Sequence, residues 1–452
     1  PSQMARNADA VRNRLRAFCP GEKTLVEALL YCPDYTVKSP GTAGIDPARI
    51  VDAPKRDQLM KVIREILPAT VGPGIEKFPR ERILRFFGEM LELVPEVHAV
   101  VGEAGLLYTR LSGGLAEWAR RIEFEPFRLR VIGTAGSGKT QLAMAVYRDA
   151  LAAGRKPLYV CYNRPLADHV SLIAPTGGEV VTYHQLGGRA SRALGRVPDF
   201  RKADAFAQLE AAMDAYTPED SGRFDELIID EGQDFHEGWA ENLVRFLKPG
   251  GRAWWLEDPM QNLYGRSSVK LDGWVTLRSQ VNYRSPRDII ETLNRLLPLE
   301  RPMEAGSPLS GFEVEIISYG DATDLIAKTV GAVTKCIGMG FKRPHIAVVT
   351  YRGREHSRLA PYDRLGPYTL RAPTGQYDLL GNAVSTEGDI QIDSVHRFKG
   401  RAAPCVIFTE IDFETLDDIA VRRLFVGATR ATMKLVLVVS ERSAKVLLAR
   451  LG

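Results

Sequence analysis

The chain has 452 residues, 45% hydrophobic and 26% charged, with a formal charge of +4 at neutral pH. That length exceeds what one compact core holds and predicts two or three domains, while the near-balanced charge excludes a histone-like polycation. No apolar stretch approaches the ~18 residues of a membrane span, and no signal peptide opens the chain, so a soluble cytoplasmic protein with no membrane partner is expected.

The first residue is Pro rather than Met, so the chain reads as a processed form or a fragment. Residues 1–75 are mixed in pattern and are taken as an N-terminal accessory region, α/β or helical. Around 78–122 the spacing predicts helix, with "RERILRFFGEMLEL" carrying apolar residues three and four apart. From 127 onward short β-branched runs alternate with helical stretches: "LRVIG", "PLYVCY", "EVVTY", "ELIID" and "AWWLE". A second series follows Gly311: "FEVEIISY", "HIAVVTY", "IQIDSV", "CVIFTE" and "KLVLVVS". Short apolar strands separated by helices imply crossovers and parallel sheets covered on both faces. Two series predict an α/β protein of two lobes, 76–275 and 276–452, with a polar, Arg-rich insertion at 187–222. Five scattered cysteines (Cys19, Cys32, Cys161, Cys336, Cys405) lack metal-ligand spacing and read as ordinary thiols of a reducing compartment.

"GTAGSGKT", residues 133–140, follows the strand "LRVI" and precedes the helical "QLAMAVYRDALAA", the context a phosphate-binding loop requires. Gly133, Thr134, Ala135, Gly136, Ser137 and Gly138 would turn backbone N–H groups around a triphosphate, with Gln141 at the mouth of the helix that follows. Lys139 would reach the β- and γ-phosphates, and the Thr140 hydroxyl would hold Mg²⁺. "LIIDEGQDF", residues 227–235, ends an apolar strand in three carboxylates within five residues. Desolvated carboxylates repel, so clustering them makes sense where something positive binds. Asp230 suits the metal and Glu231 suits the general base for an attacking water.

At this point the chain resembles the superfamily 1A helicases, the UvrD/Rep-like group. "GTAGSGKT", "YVCYNRPLA", "TYHQL", "LIIDEGQDF", "EDPMQNLY", "VNYRS", "IAVVTYR", "SVHRFKG" and "LFVGATRA" occur in that family's order between about residue 128 and residue 440. The resemblance implies two RecA-like P-loop NTPase lobes that hold ATP and Mg²⁺ between them while single-stranded DNA crosses both, in the 3′ to 5′ direction. It also implies that Gln261 senses the γ-phosphate and the attacking water, a role an amide suits as both donor and acceptor. Arg284 and Arg430 resemble the arginines that the second lobe aims at the γ-phosphate. Asn163, Arg164, Thr182 and His184 resemble residues lining the strand channel of the first lobe. Tyr264 resembles an aromatic on which a base stacks, a contact worth ~1–3 kcal/mol. Ser394, His396, Lys399 and Gly400 resemble the motif linking DNA contacts to the nucleotide. The Arg-rich stretch containing Arg189, Arg192, Arg196, Arg201 and Lys202 is either a solvated face or a set of phosphate contacts. RNA presents the same phosphates and stackable bases, so an RNA-directed motor remains open. So does a nucleotide-gated switch serving a partner nuclease or a repair or defence complex.

Four departures stand against the family pattern. No Gln occurs between Gln58 and Gln141, where the family reads adenine. Arg266 stands two residues after Tyr264, where a Trp is usual, and Ala402 replaces the Glu of "KGLE". The gaps 187–226 and 352–391 are too short for the family's inserted domains, which leaves a bare two-lobe motor. The first 70 residues faintly resemble the tail of a NERD nuclease-like domain, without an Asp…Glu-x-Lys signature.

Overall fold

The structure of the protein is a computed structural model. It describes residues 26–33, 35–37, 46–70, 114–200, 202, 204–377 and 383–451, with positions 8, 11, 12 and 15. The helix expected over 78–122 lies outside these residues as far as 113, as do Arg201 and most of the first 25 positions. Residues 1–95 and 96–452 form two compact units. In the first, β1 (Leu30–Cys32) and β2 (Ile50–Asp52) pair in parallel, and α1 (Leu59–Thr70) follows. Among the described residues, no helix is long and apolar enough to cross a membrane.

The second unit carries two parallel sheets. The first is built from β3 (Arg128–Gly133), α2 (Lys139–Ala152), β4 (Pro157–Cys161), α3 (Arg164–Ile173), β5 (Glu179–Thr182), α4 (Tyr183–Ala193), α5 (Ala205–Ala215), β6 (Phe224–Ile229), α6 (Glu237–Val244), β7 (Leu247–Glu257) and β8 (Val275–Ser279). Its strand order is β5-β4-β6-β7-β3-β8, and every pairing is parallel. A strand with both faces covered needs apolar residues on both, which is why "LIID" and "LYVC" read as unbroken runs. The two-residue period assigns alternate side chains to opposite layers. Leu158, Val160, Leu227, Ile229 and Trp255 enter one core. Tyr159, Cys161, Ile228, Trp254 and Leu256 enter the other.

The second sheet follows β9 (Val281–Asn282), α7 (Arg287–Leu296) and β10 (Glu304–Ala305). It is built from β11 (Glu315–Tyr319), α8 (Ala322–Gly338), β12 (Ile346–Thr350), β13 (Arg364–Leu365), β14 (Tyr368–Arg371), β17 (Ile390–Ser394), α9 (Val395–Phe398), β18 (Ala403–Ile411), α10 (Asp418–Ala428), β19 (Ala431–Ser440) and α11 (Glu441–Leu448), while β15 (Pro373–Tyr377) and β16 (Ala383–Ser385) pair antiparallel as a separate two-stranded sheet. The order is β11-β19-β18-β12-β17-β14-β13, parallel except for the terminal β13–β14 pair. The fold is therefore mixed α/β with two parallel sheets, as RecA-like lobes require.

Parallel connectivity collects loops at sheet edges, and here it collects the chemistry. The phosphate loop, Asn163, Asp230 and Gln261 follow the carboxyl ends of β3, β4, β6 and β7, and Thr182 is the last residue of β5. Lys399 and Arg430 lie in the segments that lead into β18 and β19 of the second sheet.

Candidate nucleotide site and adjoining cleft

The turn after β3 is made possible by two glycines with left-handed backbones, Gly136 (φ 72°) and Gly138 (φ 95°). A side chain at Gly136 would also collide with Asn282, since its β-carbon would lie 2.7 Å from Asn282 Oδ1. The loop then runs into α2, so its amides sit on a helix N-terminus, where anions are favoured. Buried Lys139 donates to the loop's own carbonyls, Gly133 O at 2.7 Å and Thr134 O at 3.1 Å. Its ammonium thus lies inside the cradle. Ser137 Oγ and Asn282 Nδ2 are buried there with no hydrogen-bond partner. Unpaired buried polar atoms are costly, and a phosphate would satisfy both, so the residues present fit a nucleotide.

Asp230 ends β6 with three donors around its carboxylate: Tyr159 OH at 2.8 Å and the Thr140 hydroxyl at 3.4 Å to Oδ2, and Glu231 N at 2.9 Å to Oδ1. Burial, with the charge of Glu231 beside it, moves the Asp230 carboxyl up to about 6. Such a carboxylate gains from a cation, which is the fit expected for Mg²⁺. Glu231 itself adopts a left-handed backbone (φ 57°), unusual for a residue with a β-carbon and characteristic of sites where geometry is enforced. Burial opposes its ionisation, but Lys399 and Lys139 outweigh that, and its carboxyl lies below the usual range. It accepts from Gln233 Nε2, whose Oε1 accepts from Asp258 N at 2.8 Å. One chain of hydrogen bonds thus locks Glu231 to the end of β7.

Two contacts cross from the second sheet to this cluster. Arg430 Nη2 donates to Gln261 Oε1 at 3.0 Å, and Gln261 Nε2 donates to Asp258 Oδ2 at 2.7 Å. Arg430 is 2% exposed and is further held by Val426 O at 2.9 Å. Lys399, also 2% exposed, places Nζ 2.6 Å from Asp234 Oδ2 and 3.4 Å from Glu231 Oε2. Burial lifts Asp234 to about 6, while its carboxylate and that of Glu231 hold Lys399 charged above its ordinary range. Arg284 lies against the phosphate loop, where a β-carbon on Gly136 would sit 2.8 Å from Arg284 Cβ. Its neighbours are tied to both lobes: Tyr283 N donates to Gly136 O at 3.1 Å, and Ser285 Oγ to Ala431 O at 2.9 Å.

Beside this site lies a cleft of 890 Å³. Asn163, Arg164, Thr182, His184 and Tyr264 line it from the first lobe, and His396 from the second. Asn163 caps α3 without using its carboxamide. Thr182 is committed to a capping box with Gln185, the reason "TYHQ" starts α4. Burial keeps both His184 and His396 below the ordinary histidine range, hence neutral at pH 7. Arg266 lies outside the lining, with its guanidinium over the Tyr162 ring at 4.4 Å and the Trp239 ring at 4.8 Å. Ser394, buried ahead of α9, and Lys399, in its ion pairs, also lie outside it.

Sequence reasoning passed over Tyr162, Asn282, Gln233, Asp258 and Tyr159. All five fall inside the quoted stretches "YVCYNRPLA", "VNYRS", "LIIDEGQDF" and "EDPMQNLY", where adjacency to the chosen residues was the available signal. The pairing of Tyr159 with Asp230 spans 71 residues and has no local pattern.

Residues 389–438, which include His396, Lys399 and Arg430, match the family model of the UvrD-like helicase C-terminal domain. No curated protein matches the chain in sequence. Solved structures similar to it include the arterivirus nonstructural protein 10 helicase, at 14% identity and TM-score 0.35, covering 75% of this chain and 64% of that one. The PRRSV helicase is similar at 13% identity and TM-score 0.38, covering 69% and 52%. The complex of arterivirus nonstructural protein 10 with DNA is similar at 16% identity and TM-score 0.35, covering 69% and 60%. The chain spans less than two thirds of the length of each.

Proposed function

We propose that this chain is an ATP-driven motor on single-stranded nucleic acid, DNA by resemblance, moving 3′ to 5′. The observation that carries the reading is the pair of cross-lobe contacts, Arg430 to Gln261 and Lys399 to Asp234 and Glu231. They join the would-be hydrolytic groups to α9, whose His396 lines the neighbouring cleft. Lys139 grips phosphate, Glu231 takes the proton of the attacking water, and Gln261 orients that water. Arg284 and Arg430 stabilise charge on the transferred phosphoryl group, the term that dominates this chemistry. Thr140 and Asp230 would hold Mg²⁺, which would supply neutralisation of phosphate charge when bound. Translocation is favoured over strand separation, since among the described residues 187–226 and 352–391 hold α4's end, α5, a single helical turn and short strands.

The test is steady-state ATP hydrolysis alone, with single-stranded DNA and with single-stranded RNA, using Glu231→Gln as the blank. Stimulation by DNA that the variant lowers at least roughly 100-fold, the scale of a lost general base, is the expected result. Equal stimulation by RNA transfers the reading to either strand. Hydrolysis indifferent to both sinks the motor and leaves a partner-gated switch.

A further inference from the structure

The cleft has a wall that the nine motifs do not account for. Phe200 and Phe206, from the short insertion ahead of and within α5, line it although they are 66% and 56% exposed. Exposed phenylalanines facing a common cleft mark a binding surface more often than a solvated one. From Phe200 the rings continue without a break: Phe206 at 6.4 Å, His184 at 4.9 Å, Tyr162 at 5.7 Å, Tyr264 at 5.4 Å and His396 at 6.3 Å. Neighbouring rings meet at 50° to 72°, so each turns a different face to the cleft. Arg164, Arg189, Arg192 and Arg397 line the same cleft with Glu210, and Arg164 pairs with Asp168, Arg189 with Glu179 and Arg397 with Asp393. Arg192 is exposed and has no side-chain partner among the described residues.

Six rings in series with the exposed Arg189 and Arg192 beside them match one chemistry: stackable bases on a polyanionic strand. We propose that the 187–222 insertion is a base-stacking wall, with Phe200 and Phe206 extending the strand path beyond the motif residues and Arg189 and Arg192 meeting its phosphates. The inference rests on the nucleic-acid reading above and deepens it. The insertion is built to present these rings. On α5, Ala205, Leu209, Ala212 and Met213 are buried, while Phe206 stays at the surface. At the α4–α5 contact, a β-carbon on Gly187 would sit 3.0 Å from Leu209 O, so the two helices are held close.

The experiment measures fluorescence anisotropy of labelled oligo-dT, with an abasic strand of equal length as control, for the parent, Phe200→Ala/Phe206→Ala and Phe206→Trp. Losing two stacking rings is expected to weaken oligo-dT binding roughly tenfold or more. The salt slope should stay unchanged because no phosphate contact is lost. Abasic-strand affinity should be equal in parent and double variant, and basal ATP hydrolysis should not move. Phe206→Trp should keep the affinity and gain a fluorescence quench on oligo-dT, which excludes misfolding as the cause. Arg189→Ala/Arg192→Ala should instead flatten the salt slope. A double variant that binds oligo-dT like the parent, or loses abasic and oligo-dT binding alike, overturns the proposal and points to a protein occupant. A parent that binds neither strand overturns the functional reading with it.

Discussion

Within one compact unit, Glu231 and Tyr264 are held in contrasting ways. Glu231 is 6% exposed, carries an enforced backbone, and is fixed by Gln233 and Lys399. Tyr264 is 42% exposed and meets its neighbours through rings, Tyr162 at 5.4 Å and His396 at 6.3 Å. Hydrolysis needs donors and a base aimed at fixed points, and buried charges with directional hydrogen bonds supply that. A strand that has to move on needs contacts indifferent to base identity and individually weak, and aromatic faces supply that. The cross-lobe ion pair of Lys399 stands where the two designs meet.

Arg430→Met removes a guanidinium from the site and the partner of Gln261, so hydrolysis should fall roughly 10³-fold. Nucleotide binding should change far less, and equilibrium binding beside single-turnover kinetics checks the split. Lys399→Met comes next. It leaves Asp234 and Glu231 buried without the cation they face, and loss of one partner of a buried pair costs about 3–5 kcal/mol. Thermal melting should register that loss, whereas changes among the cleft rings should leave the melting temperature near its starting value.

The smallest effect is in pH dependence. His184 and His396 are held below their unfolded value of 6.5, His184 by burial and His396 by burial and then Arg423. The unfolded chain therefore binds more protons in that window, and stability is lost as pH falls below about 6.5. Asp234 has the opposite sign: lifted from 3.8 to about 6, it lets stability rise as pH falls from about 6 to 4. The difference between parent and His184→Gln/His396→Gln isolates the first contribution. The variant should lose less stability between pH 6.5 and 5, measured as melting temperature against pH.

Much of the locked site is legible in one dimension, because a phosphate loop needs consecutive residues and a fixed flank. "GTAGSGKT" and "LIIDEGQDF" each carry their own chemistry, and their strands could be read from unbroken apolar runs. The strands "LYVC" and "LIID" form as expected, each divided between two core layers. The edge strand Val275–Ser279 went unread, since "VTLRS" is half exposed and has no apolar run. Lys399 and Asp234 meet 165 residues apart, which no local pattern encodes. The cleft was legible only as separate motifs, and the ring series from Phe200 to His396 exists only once the insertion folds back as α4 and α5. Polar composition hid it, because two phenylalanines barely register among the surrounding Arg, Ala and Gly.

On the proposed reading, the nucleotide site and the cleft are one device coupled through Lys399 and Arg430. Its most direct test is the affinity for oligo-dT with and without a non-hydrolysable ATP analogue, in the parent and in Lys399→Met. Coupling of ordinary size, about 1–3 kcal/mol, would change the parent's affinity 5- to 150-fold. A change of that order is expected, with the reciprocal effect of oligo-dT on analogue binding, and most of it lost in Lys399→Met. An affinity for the strand that is the same with and without the analogue would contradict it.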